Sequence, residues 1–232
     1  MQLFHLHLLS ASEAILSEAD AQHCTRVLRH QVGDEIHGID GAGVYYRAQI
    51  MSQNKREVRL QVLESIEEWG EKPQHITLAL SPLHAKDRFE WALEKSVELG
   101  VNAIVPIVCK RTVTPNIRLD RMNAILLAAL KQCKRSRLPL LSEPVPFPKW
   151  IATQKSVEAL KLIAYCERGA AFPTQISNRV VMLIGPEGDF TPEEVSLAEQ
   201  QGFEPLTLGT NRLRTETAAI HALSIAKFVG GW

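Results

Sequence analysis

The sequence contains no apolar run long enough to cross a bilayer, which argues against an integral membrane protein. Its opening residues, MQLFHLHLLSASEAIL, lack the basic stretch of a secretory signal, so we expect no signal peptide and a cytoplasmic protein. Cysteine is scarce, and its four residues form no CxxC pair. This scatter predicts reduced thiols and argues against a disulfide framework or a zinc site, so we expect no metal.

The chain also lacks both common phosphate-binding glycine patterns, GxxxxGK[ST] and GxGxxG. This absence weighs against a protein that binds pyrophosphate or a nucleotide through a conventional glycine loop. The glycine loops that the sequence does contain therefore need another explanation.

The formal net charge is zero, which is a mild argument against nucleic acid as a partner. The charge is unevenly distributed: residues 1–72 carry seven basic and eleven acidic side chains, whereas residues 73–232 carry nineteen and fifteen. The basic side chains cluster at two places, 110–111 and 131–137. Such a patch is able to bind phosphate even on a neutral protein, although charges of this kind are often only solvated surface positions.

The first seventy residues predict a small β-barrel. Residues 3–8 alternate like a half-buried strand, and residues 17–30 are spaced as a helix with an inner face of Ala21, Cys24, Val27 and Leu28. Turns at 41–43 and 53–55 separate three more predicted strands, over 35–40, 44–51 and 57–63. Short antiparallel strands with one helix favour a barrel, and the acidic, polar residues 64–73 predict a linker after it.

From residue 75 onward, strands alternate with helices. Strands are predicted over 76–80, 103–108 and 161–166, and helices over 87–99 and 120–135, with a weaker helix starting at 147. A further helix starts with Thr191 as N-cap and Pro192 at the first helical position, and Glu194 completes a capping box. This alternation predicts a mainly parallel sheet with helices on both faces.

Two glycine loops follow predicted strands in the last quarter of the chain. The apolar, β-branched residues 180–184 are typical of a strand buried on both faces, and Gly185-Pro186-Glu187-Gly188 ends it. A second strand, 205–208, leads into Gly209-Thr210-Asn211 and then the last helix. Adjacent strand ends with glycine loops are where an open α/β sheet binds a small ligand, so we expect a ligand site here; each glycine alone is also compatible with a plain turn.

These motifs resemble a known family. IGPEG-x-F followed by LG-x-x-x-LRTETA is similar to the 16S ribosomal RNA uridine-N3 methyltransferases of the RsmE family, in the SPOUT class. HCTRVLRHQVGD and KDRFEWALEKSVELGVNAIVP resemble two further elements of that family, whose pattern usually has glycine where this chain has Asp189. The resemblance implies a PUA-like RNA-binding β-barrel over 1–70 and a SPOUT α/β domain with a trefoil knot over 74–232. It further implies S-adenosyl-L-methionine as cofactor, 16S ribosomal RNA as partner and a homodimer.

The resemblance also assigns roles to particular residues. Three loops would bind the cofactor: Tyr165, Cys166 and Glu167; Leu183, Ile184, Gly185, Pro186, Glu187 and Gly188; and Leu208, Gly209, Leu213, Arg214, Thr217 and Ala218. The resemblance makes His23, Arg26, Arg29 and Lys86 candidate RNA contacts, although His23 and Arg26 are also compatible with capping or bridging the barrel. The two basic clusters add Arg111, Lys134 and Arg135 as candidate RNA contacts. Methylation of uridine N3 needs that nitrogen to lose its proton, so Arg214 would stabilise the anionic ring and Glu216 would orient the base or help to remove the proton. The alternative is that Glu216 has no catalytic role and only interacts with the helix dipole in the first turn of the last helix.

Three alternatives stay open at this point. One is an α/β protein that uses the GPEG loop to bind pyrophosphate or a nucleotide. Another is an RNA-binding module without turnover, favoured by Asp189 and by the neutral net charge. The last is the same chemistry on another RNA or another base, because the identity of the base depends on the family resemblance alone.

Overall fold

The computed structural model describes residues 1–54, 56–167 and 170–231. Lys55 of the predicted 53–55 turn and Trp232 at the end of the predicted second domain lie outside these ranges. The chain divides into two compact units: Met1–Lys72 with Leu127–Leu138, and Pro73–Leu126 with Pro139–Trp232. Residues 127–138 thus group with the first unit, although the sequence placed them in the second domain.

The first unit is built on a closed five-stranded barrel of order β1-β2-β5-β4-β3, which confirms the predicted fold of this part. Its strands are β1 (Leu3–Leu8), β2 (Glu13–Leu16), β3 (Glu35–Ile39), β4 (Val44–Gln53) and β5 (Val58–Glu67). Strand β2 was not predicted, since it is only four residues long. Alternate strand positions point inward and fill the barrel with apolar side chains, including Phe4, Leu6, Ile36, Ile50 and Leu60.

The predicted helix over 17–30 is shorter than expected. Helix α1 (Glu18–Gln22) passes into a π-helical turn, His23–Val27. Cys24 is buried as predicted, but Val27 and Leu28 are 64% and 40% exposed, so their predicted burial was wrong. The wider turn, in which Leu28 N–H donates to His23 O at 3.0 Å, rotates these side chains away from the face that α-helical spacing gives them.

The predicted linker also begins later than residue 64. Strand β5 continues to Glu67, and Glu64 lies opposite Arg47 on β4. The Arg47 guanidinium bridges Glu64 and Glu35, with nitrogen–oxygen distances of 3.1 and 2.9 Å. The second half of β5 is exposed to solvent. Its residues are therefore polar like those of a linker, although their backbone is paired with β4.

The basic segment 131–137 is largely occupied by ion pairs within the first unit. Lys131 Nζ donates to Asp20 Oδ1 at 2.7 Å, and Arg137 pairs with Glu68. Arg135 is buried and its guanidinium donates to Glu71 Oε2 at 2.9 Å. The other Glu71 oxygen accepts the backbone N–H of Ser136 at 2.9 Å. Arg135, predicted to bind RNA, is therefore a structural residue, because its charge is already paired and inaccessible.

We expect Glu71→Ala to destabilise the first unit by about 3–5 kcal/mol, because it removes the buried carboxylate that accepts from the Arg135 guanidinium and from the Ser136 N–H. Chemical denaturation followed by far-ultraviolet circular dichroism measures the effect. Glu67→Ala is the matched control, since Glu67 ends β5 shortly before Glu71 and has an exposed side chain. Equal denaturation midpoints for the two variants would contradict a structural role for the pair.

The second unit is built on a parallel sheet with strand order β12-β10-β11-β6-β7-β8. Its strands are β6 (His75–Leu80), β7 (Ala103–Val108), β8 (Leu140–Leu141), β9 (Val145–Pro146), β10 (Leu160–Ala164), β11 (Arg179–Ile184) and β12 (Glu204–Leu206); β9 pairs with the far end of β7. Every pairing is parallel, as predicted. The central β11 is buried from Val180 to Ile184, as its continuous apolar run indicated.

Five further helices complete the chain. They are α2 (Lys86–Glu98), α3 (Leu119–Cys133), α4 (Phe147–Ala152), α5 (Pro192–Gln200) and α6 (Thr215–Gly230), and the last part of α3 groups with the first unit. Helices α4 and α5 share a core with the strands through Phe147, Val195 and Leu183, whereas α2 and α6 pack against each other and α6 contacts β11. The predicted capping box is present: Thr191 Oγ1 accepts Glu194 N–H at 3.3 Å and Glu194 Oε2 accepts Thr191 N–H at 2.9 Å.

Candidate active site

A cavity of about 740 Å³ opens in the second unit where three neighbouring strands end. Its walls are the loops after β10, β11 and β12, together with the amino-terminal turn of α6. Since β12, β10 and β11 are adjacent and parallel, their carboxyl ends meet at one edge of the sheet. The position predicted for a ligand site is thus a real concavity, of a volume common for small-molecule sites.

Glycine is required in the loop after β11 because other residues approach it closely. A Cβ atom on Gly185 would lie 3.0 Å from the ring of Phe190, which is fully buried. A Cβ on Gly188 would lie 3.2 Å from Cβ of Arg111. These two glycines therefore do more than form a turn, since they let the loop pack tightly beneath the cavity.

Arg111 holds this loop in place. Its Nη1 donates to Gly188 O at 2.7 Å and to Phe190 O at 3.4 Å. Arg111 lines the cavity, but its guanidinium is occupied by backbone carbonyls. It was predicted as an RNA contact; the geometry instead supports a role in shaping the cavity wall.

Glu187 ties the same loop to the segment that follows β6. Its Oε1 accepts the backbone N–H of His84 at 2.9 Å, and His84 Nδ1 lies 3.2 Å from Thr114 Oγ1. The Glu187 carbonyl accepts a longer bond from Arg212 Nη2, at 3.4 Å. The loop is therefore fixed by neighbours on several sides before any ligand binds.

Among the residues that the structure describes, four arginines line the cavity: Arg88, Arg111, Arg212 and Arg214. Arg88 Nε lies 3.8 Å from Glu216 Oε1, and Arg111 and Arg212 donate to backbone carbonyls. Within the described part of the chain, no hydrogen bond or ion pair is found for the Arg214 side chain. Arg214 is exposed and is the N-cap residue of α6, so its guanidinium is available to a ligand.

Most of the residues predicted from sequence meet at this cavity. Both predicted catalytic residues line it, as do all the predicted cofactor residues except Leu183 and Thr217. Leu183 is buried in the core below, and Thr217 is an exposed residue on the first turn of α6. Glu216 is only 12% exposed, beside Arg88.

Arg88 was missed by sequence reasoning. It lies on the first turn of α2, where the sequence offers a run of charged residues, and only Lys86 was taken from that run. Lys95, from the same helix, forms ion pairs with Glu94 and Glu98 at 2.7 and 2.8 Å. Nothing local distinguishes Arg88 from these neighbours; the signal is its contact with Glu216, which is more than a hundred residues away.

The other predicted RNA contacts do not line the cavity. Arg26 and Arg29 are exposed in the first unit, and Arg29 has a left-handed backbone with φ of +57°. His23 is half-buried, with its ring centroid 6.3 Å from that of Phe4. Lys134 is exposed in the first unit and Lys86 is exposed in the second.

Cys166 is the exposed cysteine at the cavity. Partial burial and the neighbouring Asp189 carboxylate raise the pKa of its thiol. The thiol therefore stays protonated at neutral pH and is a poor nucleophile there.

Among residues 1–54, 56–167 and 170–231, no group of three or more His, Cys, Asp or Glu side chains is arranged to hold a metal ion. Over the same ranges, none of the helices combines the length and apolar character needed to cross a membrane.

Comparison with known proteins gives three consistent results. The RNA methyltransferase domain family matches residues 70–227. Ribosomal RNA small subunit methyltransferase E of Synechocystis sp. is 31% identical over 217 residues, which cover 90% of this chain and 71% of that protein. The crystal structure of a ribosomal RNA small subunit methyltransferase E from Neisseria gonorrhoeae bound to S-adenosyl methionine has a TM-score of 0.88 and 30% identity, over 99% of this chain and 98% of that chain.

The likeness extends over both units. The crystal structure of a probable rRNA-methyltransferase from Porphyromonas gingivalis has a TM-score of 0.91 and 34% identity, over 100% of this chain and 99% of that one. This agreement confirms the predicted class, an amino-terminal barrel followed by an α/β domain of the SPOUT kind; the trefoil knot stays a prediction. On the family match and the full-length likeness together, the chain belongs to the RNA methyltransferase family that includes ribosomal RNA small subunit methyltransferase E.

Proposed function

We propose that the protein transfers a methyl group from S-adenosyl-L-methionine to N3 of a uridine in 16S ribosomal RNA, giving 3-methyluridine. The observation that carries the proposal is the cavity at the ends of β10, β11 and β12, where the two glycine loops and the start of α6 converge. The small-subunit ribosomal RNA as substrate follows from the family, and the uridine N3 position follows from the motif resemblance.

The residues at the cavity fit the cofactor. An adenine ring needs a slot lined by backbone, which the loops at 185–188 and 208–209 provide because glycine permits close approach. A cationic cofactor is favoured by nearby carboxylates, and Glu167 and Glu187 both line the cavity. The cofactor supplies the methyl group and leaves as S-adenosylhomocysteine. These residues would bind and orient it.

Arg214 and Glu216 are the groups placed to assist the transfer. The N3–H proton of the uracil must leave as the new N–C bond forms, so negative charge develops on the ring. Arg214 is exposed at the cavity and suits stabilisation of that charge. Glu216, from the first turn of α6, is the nearby carboxylate that would orient the uracil or accept the proton.

We expect Glu216→Gln to separate the catalytic role of this carboxylate from a role as a helix-dipole partner. A general base predicts a fall in kcat of about 100-fold with an unchanged melting temperature. A dipole partner predicts unchanged kcat and a loss of stability of about 0.3–1 kcal/mol. Single-turnover methylation and thermal unfolding of the same preparation distinguish the two. Glu193→Gln, in the first turn of α5, is the matched control for a helix-terminal carboxylate.

Five of the predicted RNA contacts remain candidates: His23, Arg26, Arg29, Lys86 and Lys134. Of these, Arg26, Arg29, Lys86 and Lys134 are exposed, so they are free to meet phosphate. Residues 1–70 would thus act as an RNA-binding barrel of the PUA-like kind, and residues 74–232 as the methyltransferase domain. A target base must be unpaired or leave its stack to enter the cavity, which explains the need for a second RNA-gripping unit.

The proposal includes a cytoplasmic homodimer. Phe228 on α6 is 86% exposed and Trp91 on α2 is 44% exposed, although these two helices pack against each other. Large apolar side chains exposed on packed helices are typical of an interface. Light scattering after gel filtration measures the mass directly, and a monomer at micromolar concentration would contradict this part.

The function is tested with small ribosomal subunits that lack the modification. The purified protein and S-adenosyl-L-methionine should convert one uridine per particle to 3-methyluridine, identified by mass spectrometry of the nucleosides. Methylation of another base would favour the same chemistry on a different target. Tight RNA binding with no methylation under any condition would instead favour the RNA-binding module without turnover.

A further inference from the structure

Asp189 occupies a backbone conformation that favours glycine. Its φ is +65°, in the left-handed region that residues with side chains adopt less readily. Its N–H donates to Pro186 O at 2.9 Å, which closes the turn after β11. Because the turn itself needs no side chain here, the contacts of the carboxylate are the feature to explain.

The two carboxylate oxygens of Asp189 accept from different parts of the cavity wall. Oδ1 accepts the N–H of Phe190 at 2.8 Å, within its own loop. Oδ2 accepts the N–H of Cys166 at 3.3 Å, in the loop after β10. The strands that precede the two loops are paired up to Ala164 and Ile184, after which backbone pairing stops. The carboxylate therefore continues the connection between the loops beyond the end of the sheet.

The loop after β10 is also attached to β12, since Ala170 N–H donates to Pro205 O at 3.1 Å and Ala170 O accepts Thr207 N–H at 2.9 Å. Tyr165 N–H donates to Leu206 O at 3.1 Å, which secures the residue before Cys166 toward β12. The loop after β11 is held separately by Arg111, through Gly188 O and Phe190 O. The Asp189 side chain thus joins the loop after β11 directly to the loop after β10.

We propose that Asp189 is a positioning residue that fastens the loop after β10 to the loop after β11, so that the cavity has its binding shape before the ligand arrives. A preformed site loses less conformational entropy on binding, so the connection raises affinity without a direct contact to the ligand. The identity of the ligand rests on the proposed function; the connection between the loops does not.

The connection is tested first in the ligand-free protein. In Asp189→Asn, which has the same shape, the one remaining carbonyl oxygen serves only one of the two N–H groups, and Asp189→Ala has no acceptor. We expect hydrogen exchange of the Cys166 amide, followed by NMR, to become about tenfold faster in both variants. Both variants lose the charged acceptor, and a hydrogen bond to a charged group shifts a local opening equilibrium by about tenfold or more. Glu143→Gln, an exposed carboxylate elsewhere in the second unit, should leave it unchanged. Unchanged exchange at Cys166 in Asp189→Ala would overturn the proposal, whether or not the protein binds S-adenosyl-L-methionine.

Calorimetric titration then separates positioning from charge. If Asp189 acts by positioning, Asp189→Asn should weaken the binding of S-adenosyl-L-methionine and of its product S-adenosylhomocysteine, whose sulfur is uncharged, by the same factor of about tenfold. The kcat at saturating cofactor should stay within about twofold of wild type. Weaker binding of S-adenosyl-L-methionine with unchanged binding of S-adenosylhomocysteine would show that Asp189 acts on the sulfonium charge and would overturn the proposal. If the wild type binds neither compound, the proposed function fails, and the exchange experiment still decides the role of Asp189.

Discussion

Arg214→Ala should lower kcat for RNA methylation by about 100- to 1000-fold, the usual cost of removing a donor that stabilises developing negative charge. Arg214 is exposed at the cavity, and among the described residues its side chain has no hydrogen-bond partner in the protein, so the substitution removes no internal contact. The melting temperature should therefore stay within about 2 °C of wild type, since exposed substitutions rarely cost more than about 0.5 kcal/mol. Single-turnover methylation of ribosomal subunits with saturating cofactor measures the effect.

Two further variants make the Arg214 result specific. Arg214→Lys keeps the positive charge but loses the planar pair of donors, so we expect only partial recovery of kcat. Arg212→Ala removes the arginine two residues earlier, whose Nη2 already donates to Glu187 O. We expect it to lower kcat less than Arg214→Ala does. Full activity of Arg214→Ala would remove this residue from the mechanism; loss of cofactor affinity with normal kcat would make it a binding residue only.

Gly185→Arg should abolish detectable binding of S-adenosyl-L-methionine, with an affinity loss of more than about 100-fold, or about 2.7 kcal/mol. Any Cβ at this position would lie 3.0 Å from the fully buried Phe190 ring, so the ring or the loop must shift by a few tenths of an ångström. The arginine side chain adds much more bulk to the cavity wall, which Gly185 lines. Isothermal titration calorimetry of the purified protein measures the loss.

Two further variants show whether a loss of binding in Gly185→Arg is local or results from unfolding. Ala152→Arg adds the same side chain at the exposed end of α4 and should bind normally. Gly185→Ala adds only the Cβ, requires a shift of a few tenths of an ångström at Phe190, and should weaken binding by about tenfold, or about 1.4 kcal/mol. Wild-type affinity in a folded Gly185→Arg protein would place the cofactor elsewhere and contradict the proposed site.

Local sequence patterns predicted the elements that depend on neighbours along the chain. The capping box of Thr191 and Glu194 forms as expected because its partners are three residues apart. The continuous apolar run of β11 indicated a strand covered on both faces, and it lies inside the sheet. The glycine loops were recognised from residue type and spacing, and both line one cavity.

Predictions about individual side chains depend on contacts that the sequence does not show. Arg135 looked like a member of a basic patch, but its partner Glu71 is 64 residues away in sequence. Arg111 looked equally available, yet it donates to Gly188 O, 77 residues away. Two elements of the barrel unit were missed for a related reason: the π-helical turn at His23–Val27 and the exposed end of β5. Each forms through contacts with the rest of the barrel, which are distant in sequence.

The sequence by itself determined the longer strands and helices, the small barrel, the parallel sheet and the chemical identity of the cavity loops, because hydrophobic period and glycine position act locally. Only the tertiary structure decided which charges are available. It pairs Arg135 and places Arg111 on backbone carbonyls, and it brings Arg88 beside Glu216 and leaves Arg214 open to the cavity. The reason is that an ion pair or hydrogen bond depends on distance in space, which residue type and spacing along the chain do not specify.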